Sequence, residues 1–177
     1  MNFDDYAWNE HEKMLKRENK IKIPSQYKVK IKDESAKRLE LEQILEGFTQ
    51  KKLAEWSITN AKRFIEYIDI EDTNLQNSII SRAEETLYKR IQGLVSAYEL
   101  RQIGFLANQL SKQSNSEISK FASRVFAQAI ATGHMRGHAI VSSDYAIKVI
   151  NLKYDNHKDS IVKERDEQIN LANRLKN

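Results

Sequence analysis

Turn-forming residues are scarce in this sequence, and that scarcity constrains the fold more than any other feature. Its 177 residues include one proline, Pro24, and five glycines. Strand-rich folds need many tight turns, and tight turns draw on glycine and proline to reach their backbone angles. The chain is therefore expected to be all-α, a compact bundle of six or seven helices. Short polar links between such helices force neighbours to run antiparallel. The length suits one structural domain that buries its core without staples. Cysteine is absent, which excludes disulfide scaffolds, cysteine-rich zinc sites and thiol catalysis.

The apolar pattern supports helices along most of the chain, because large apolar residues recur at three- and four-residue steps. A polar helix is expected from Asp4 to about Asn19, and another to Glu46, opened by Asp33 or Ser35 and stopped by Gly47. Thr49 caps the next, whose stripe through Trp56 and Ile68 marks Trp56 as core. Further helices carry Leu75 to Leu94, Leu100 to Leu110 (capped by Ser96) and Ile118 to Ile130 (opened by Asn115 or Ser116). After Gly133 the pattern to Leu152 is apolar nearly all round, which belongs at the centre of a bundle. Residues 156–177 alternate charges and read as a solvent-facing helix. Between the first two helices, residues 20–32 alternate apolar and basic side chains with the period of extended chain. Either a short β-hairpin turning near Pro24 or an extended arm across the bundle would fit. Residues 1–47 thus form an N-terminal attachment of helix, basic arm and short helix, and residues 48–177 the main helical unit.

The net charge of +4 is uneven, since Lys13 to Arg38 holds ten basic residues against Glu18, Asp33 and Glu34. A solvated basic face is the expected reading of such a run. Trp8, Lys22, Tyr27, Lys28 and Lys30 are the candidate partner contacts there. Nucleic-acid binding is the alternative function: Tyr27 would stack on a base while lysines follow phosphates. The chain begins without a basic segment leading into an apolar core, and no run approaches the length of a membrane span. A cytoplasmic protein with no membrane partner is expected.

Catalytic signatures are missing. The sequence has no phosphate-binding Gly-rich loop ending in Lys-Ser or Lys-Thr, no Gly-x-Gly-x-x-Gly and no Gly-x-Ser-x-Gly elbow. The acidic pairs Glu71-Asp72, Glu84-Glu85 and Asp166-Glu167 sit among polar neighbours that keep them ordinary. His11 and His157 lie in charged surroundings and belong on the surface. His134 and His138 are four residues apart, so on one helix they would share a face and could share a metal. A hydrolytic zinc helix, however, has glutamate where Met135 stands. A third ligand, such as Glu99 or Asp144, would have to be supplied by folding. Hydrogen-bonded core histidines are the commoner outcome, and neither metal nor cofactor is expected.

The segment Ala131-Thr132-Gly133-His134-Met135, then His138-Ala139, then Tyr145-Ala146-Ile147-Lys148 resembles a bacterial family of immunity proteins of bacteriocin and polymorphic-toxin systems. Trp56 with Ala61, and Arg101 opening the Gln102-Ile103-Gly104-Phe105 run, resemble two further family features. The likeness spans about Leu53 to Leu152. Gln128 stands where the family pattern has a histidine, and Gly133 replaces an alanine. The resemblance implies a helical, non-catalytic protein that masks the surface of a cognate protein toxin. It implies packing roles for Trp56, Arg101, Gly133, His134, His138 and Tyr145, with the histidine segment as an interior rod. Neither the toxin nor an oligomeric state is implied.

Overall fold

Side-chain caps set most of the helix starts. Thr49, Asp72, Ser96 and Ser116 each accept a hydrogen bond from the backbone N–H three residues on, the usual device for satisfying orphan donors at a helix start. At Ser96 the device is reciprocal, since Glu99 reaches back to the cap's own N–H. The computed structural model describes residues 1–176 and shows nine α-helices and no strand among them. They are α1 (Phe3–Tyr6), α2 (Glu10–Arg17), α3 (Ser35–Glu46), α4 (Gln50–Lys62), α5 (Thr73–Ile91), α6 (Ala97–Gln113), α7 (Glu117–Ala131), α8 (His138–Lys153) and α9 (Lys158–Lys176). A single 3-10 turn, Ile65–Tyr67, follows α4. The all-helical expectation holds, but the count exceeds six or seven. One reason is Asn9, whose side chain accepts from the Glu12 N–H and starts a second helix where one was expected. Asn177, the end of the expected last helix, lies outside the described residues.

One other local expectation fails, and one open alternative is decided, for identifiable reasons. Neither Ser35 nor Asp33 caps α3; Glu34 occupies the cap position without a side-chain bond. The Asp33 carboxylate is held instead by Arg165, at 3.0 and 2.6 Å. Residues 20–32 form no hairpin, and run as the extended arm. Side chains supply the backbone partners that a second strand would have given. Asn151 of α8 accepts from the Lys32 N–H at 2.8 Å and donates to the Lys32 carbonyl at 2.9 Å. Glu42 of α3 accepts from the Ser25 N–H, and Arg38 donates to the Ser25 carbonyl. Val29 and Ile31 of the arm pack against the main core.

That core surrounds α7, which packs on α4, α6 and α8. Val125, Phe126, Ala129 and Ile130 are completely buried along α7, and Ala146, Ile147 and Val149 face them from α8. A second apolar cluster joins α3, α4, α8 and α9 around Trp56 and Leu41. The Trp56 indole N–H donates to the Gln168 carbonyl at 3.3 Å, so the ring is buried with its one donor satisfied.

At the seam of α3, α8 and α9 lies a buried ionic network. Asp144 is fully buried between two guanidinium groups. Arg38 Nε and Nη2 each donate to it at 2.9 Å, and Arg165 Nη2 donates at 2.8 Å. Arg165 also binds Asp33, Ser143 and Gln168, and Arg38 binds Glu42. Burial by itself would raise the Asp33 carboxyl, but the Arg165 hydrogen bonds outweigh it and hold the group below its ordinary range. Its stabilising contribution is therefore present above the unfolded carboxylate range, and is lost as pH falls through the depressed value. This network corrects two expectations. The last helix is not a solvent-facing helix on a narrow stripe, because Arg165 and Gln168 are fully buried in it. Nor is the basic run a uniformly solvated face. Arg38 is buried, and Lys13, Lys16, Lys20 and Lys37 pair with Asp4 and Glu10, Glu46, Glu18 and Asp166.

Replacing Asp144 strands two buried guanidinium groups. Asp144→Asn should lower the unfolding free energy by about 3–5 kcal/mol, read from the urea midpoint. Lys13→Ala, which removes two surface ion pairs, to Asp4 and Glu10, should leave the midpoint nearly unchanged.

Candidate functional site

The α5–α6 junction is shaped by glycine. Gly93, at φ +76°, closes α5 with the Leu94 N–H donating to the Lys89 carbonyl and its own N–H to that of Arg90. Such a close ordinarily buries the apolar residue that follows the glycine. Here Leu94 is 68% exposed. The outer face of α6 continues the apolar surface: Tyr98 and Phe105, each 64% exposed, flank exposed Arg101 at three- and four-residue steps. Opposite them, Leu100, Ile103, Ala107 and Leu110 fill the core.

Beside Phe105, α6 and α7 part into a cleft of about 260 Å³ that ends at the α7–α8 turn. Its wall includes Arg101, Gly104, Phe105 and Asn108 from α6 and Gln128 from α7, with His134 and His138 at the turn. A Cβ on Gly104 would meet no atom within 4 Å, so this glycine leaves the cleft wide rather than avoiding a clash. The two histidines do not share a helix as expected. The α7 helix ends at Ala131 and α8 begins at His138, so His134 lies in the turn between them. The rings still meet, with centroids 5.1 Å apart. His138 Nδ1 lies 2.6 Å from Gln128 Oε1. His134 Nδ1 is buried without a hydrogen-bond partner among the described residues. Burial, then the neighbouring His138 and Arg101, depress the His134 pKa to about 4. Burial also lowers His138. Both imidazoles are thus neutral near pH 7.

The turn itself is held from three sides. Arg90 of α5 donates to the Gly133 carbonyl at 3.2 Å and to the Val95 carbonyl at 3.2 Å, while Trp8 lies 5.1 Å from the same guanidinium. Glu12 of α2 accepts from the N–H groups of Arg136 and Gly137. Arg136 donates to the Tyr6 carbonyl and to those of Leu45 and Glu46 at the end of α3. From α4, Gln50 donates to the Thr132 carbonyl, and Ser57 accepts from the Thr132 hydroxyl. A Cβ at Gly133 would stand 2.5 Å from Leu100 Cδ2 and 2.7 Å from Leu87 Cδ1. Glycine at that position lets two leucines close over the turn.

The remaining sequence candidates are dispersed. Trp56 is core, and Tyr145 is half-buried with its ring 6.0 Å from Phe121. Tyr27 does not offer an unoccupied ring for stacking on a base. The Arg38 guanidinium lies 4.1 Å from the ring centroid, and the hydroxyl donates to Asp33 at 2.8 Å. Lys22, Lys28 and Lys30 are exposed on the arm. Among the described residues no group of three or more His, Cys, Asp or Glu side chains is placed to hold a metal ion. A larger cleft of about 510 Å³ lies beneath the arm between Ile21, Ile23 and Ile140. Its inner polar groups are internally paired, Tyr6 with Glu46, Glu12 with the turn and Arg136 with carbonyls, while Lys22, Gln26 and Lys28 line it from the exposed arm. The sequence reading gives Leu94, Tyr98 and Asn108 no part in a site, and names Gly104 and Phe105 only in the run that follows Arg101. Tyr98 and Phe105 were detectable in principle, as aromatics on the side of α6 opposite its core stripe.

Gly133→Ala should overpack the turn and cost about 1–3 kcal/mol in a urea melt, with part regained when Leu87→Val is added. A second outcome concerns pH. Because the folded state holds His134 near 4, against 6.5 for the ordinary group, the unfolded chain takes up a proton first as pH falls. The stability that this contributes is complete above pH 6.5 and declines towards pH 4. His134→Gln should flatten the melting-temperature profile across that window relative to the unsubstituted protein.

No helix of the described residues is long and apolar enough to cross a membrane. No curated protein and no solved structure matches the sequence. The model of one family matches residues 43–174, a longer stretch at both ends than the motif suggested, and it contains the cleft, the turn and the whole of α6. By that match the chain belongs to the Imm-5 like putative immunity protein family.

Proposed function

We propose that this protein binds a cognate protein toxin and neutralises it by masking its surface, with no catalytic step, in the bacterial cytoplasm. The observation that carries this reading is the α6 face. Tyr98 and Phe105 expose large aromatic groups to either side of Arg101 on a helix opened by a capping box, and Leu94 is exposed in the link just before it. Aromatic residues and arginine are the types that dominate binding energy at protein interfaces. Two-χ aromatics on a preformed helix lose little conformational freedom on docking, so more of their contact energy appears as affinity. Family membership supplies the kind of partner. The net charge of +4 argues against an acidic inhibitor that imitates a phosphate backbone, and favours a toxin surface of negative potential.

Co-expression with its cognate toxin should restore growth, and the two proteins should co-purify. Tyr98→Ala with Phe105→Ala should weaken the complex by about tenfold or more, while leaving the helical circular dichroism signal unchanged. Rescue of growth without any detectable association would overturn the masking reading.

A further inference from the structure

The α6–α7 cleft has a one-sided charge. Arg101 stands at its mouth, and His134 and His138 line its end at the turn. Asn108 and Gln128 add neutral amides, and no carboxylate lines it among the described residues. The elements around the turn add no free acid: α5 brings Arg90, α4 brings neutral Gln50 and Ser57, and α2 brings Glu12, already accepting from two backbone N–H groups. The volume of about 260 Å³ is below the roughly 300–1,000 Å³ of pockets that take drug-sized ligands. A single side chain is the better match in size. Gly104 keeps the entrance clear next to exposed Phe105.

We infer that this cleft is a socket for one acidic side chain, an aspartate or glutamate presented by the toxin as it docks on the α6 face. The inference rests on the toxin-masking reading for its occupant, and on charge complementarity for its chemistry. The partner's carboxylate would meet Arg101 and bring a negative charge beside two imidazoles whose pKa values burial lowers in the free protein, with His138 and Arg101 adding to the effect at His134. An opposite charge within a few ångströms favours the protonated ring. Seating the carboxylate therefore raises both histidine pKa values, and the complex takes up protons. By linkage, association weakens as pH rises through the raised values, and it weakens again at low pH, where acid neutralises the docked carboxylate.

Two experiments separate this socket from the reading it rests on. The first uses the free protein with acetate as the probe, following the four imidazoles by NMR against chloride at equal ionic strength. At pH 6.5, where acetate is an anion, the ring signals of His134 and His138 should shift as acetate is added, while those of exposed His11 and His157 should match the chloride control. Equal shifts at all four, or none, would overturn the socket. Gly104→Leu, which fills the entrance without meeting another atom at its Cβ, should abolish the acetate effect. The second measures toxin binding. Arg101→Ala and Gly104→Leu should each weaken it about tenfold, and the affinity of the unsubstituted protein should fall as pH rises from about 4, the His134 value, towards 6.5, the ordinary histidine value. A complex that forms with neither sensitivity refutes the socket and leaves toxin masking standing. Failure of the unsubstituted protein to bind any toxin removes masking, and with it the socket's assigned occupant.

Discussion

Asp144 is the constraint on which the rest of this structure depends. A carboxylate with no exposed surface must be compensated, and here two arginines do so from opposite ends of the chain, Arg38 on α3 and Arg165 on α9. Arg165 in turn recruits Asp33, and Arg38 recruits Glu42 and the Ser25 carbonyl. One buried charge on α8 thereby fixes the positions of α3, α9 and the arm between α2 and α3. The family match starts at residue 43, so Asp33 and Arg38 lie before it while Asp144 and Arg165 lie within it. The charges of the matched region are completed from outside it. The N-terminal segment is in this sense part of the interior, although much of its length looks polar.

The second organising element is the turn from Thr132 to Gly137. Five separate attachments converge on it: Arg90, Glu12, Gln50, Ser57 and the packed leucines over Gly133. Most of these are side chains bonding to backbone groups, which satisfies the helix-end donors and acceptors that α7 and α8 leave open. The result is a rigid floor for the cleft beside exposed α6. Rigidity matters at such a place, because a binding face that is already ordered loses less entropy when a partner arrives.

Much of this was legible in the sequence. The Gly and Pro scarcity gave the all-helical class, and the caps Thr49, Ser96 and Ser116 gave helix starts that the structure keeps. The motif around His134 gave the family. What escaped has a common physical cause. Charged residues were read as solvated unless a partner was close in sequence, whereas Arg38 and Asp144 are 106 residues apart. Arg165 and Asp33 are 132 apart. Long-range pairing leaves no periodic trace, so α9 and the arm looked more exposed than they are. The cleft escaped for a related reason: His134 sits in the turn beyond the end of α7 and not on one helix with His138, and Gly104 looks like a defect until its neighbours are known.

Asn151 carries a consequence for the arm. Residues 21–31 have the alternation of a strand, and an extended segment of that kind with open backbone groups is a template for pairing with another chain. A single amide side chain grips both the donor and the acceptor of Lys32, and so acts as a register pin. Sliding the arm by one residue would turn Val29 and Ile31 outward and drive Lys28 and Lys30 into the apolar core, since neighbouring side chains of extended chain point to opposite sides. Together with Glu42 and Arg38 on the Ser25 N–H and carbonyl, the pin decides which of two incompatible faces the segment shows to solvent, without a sheet.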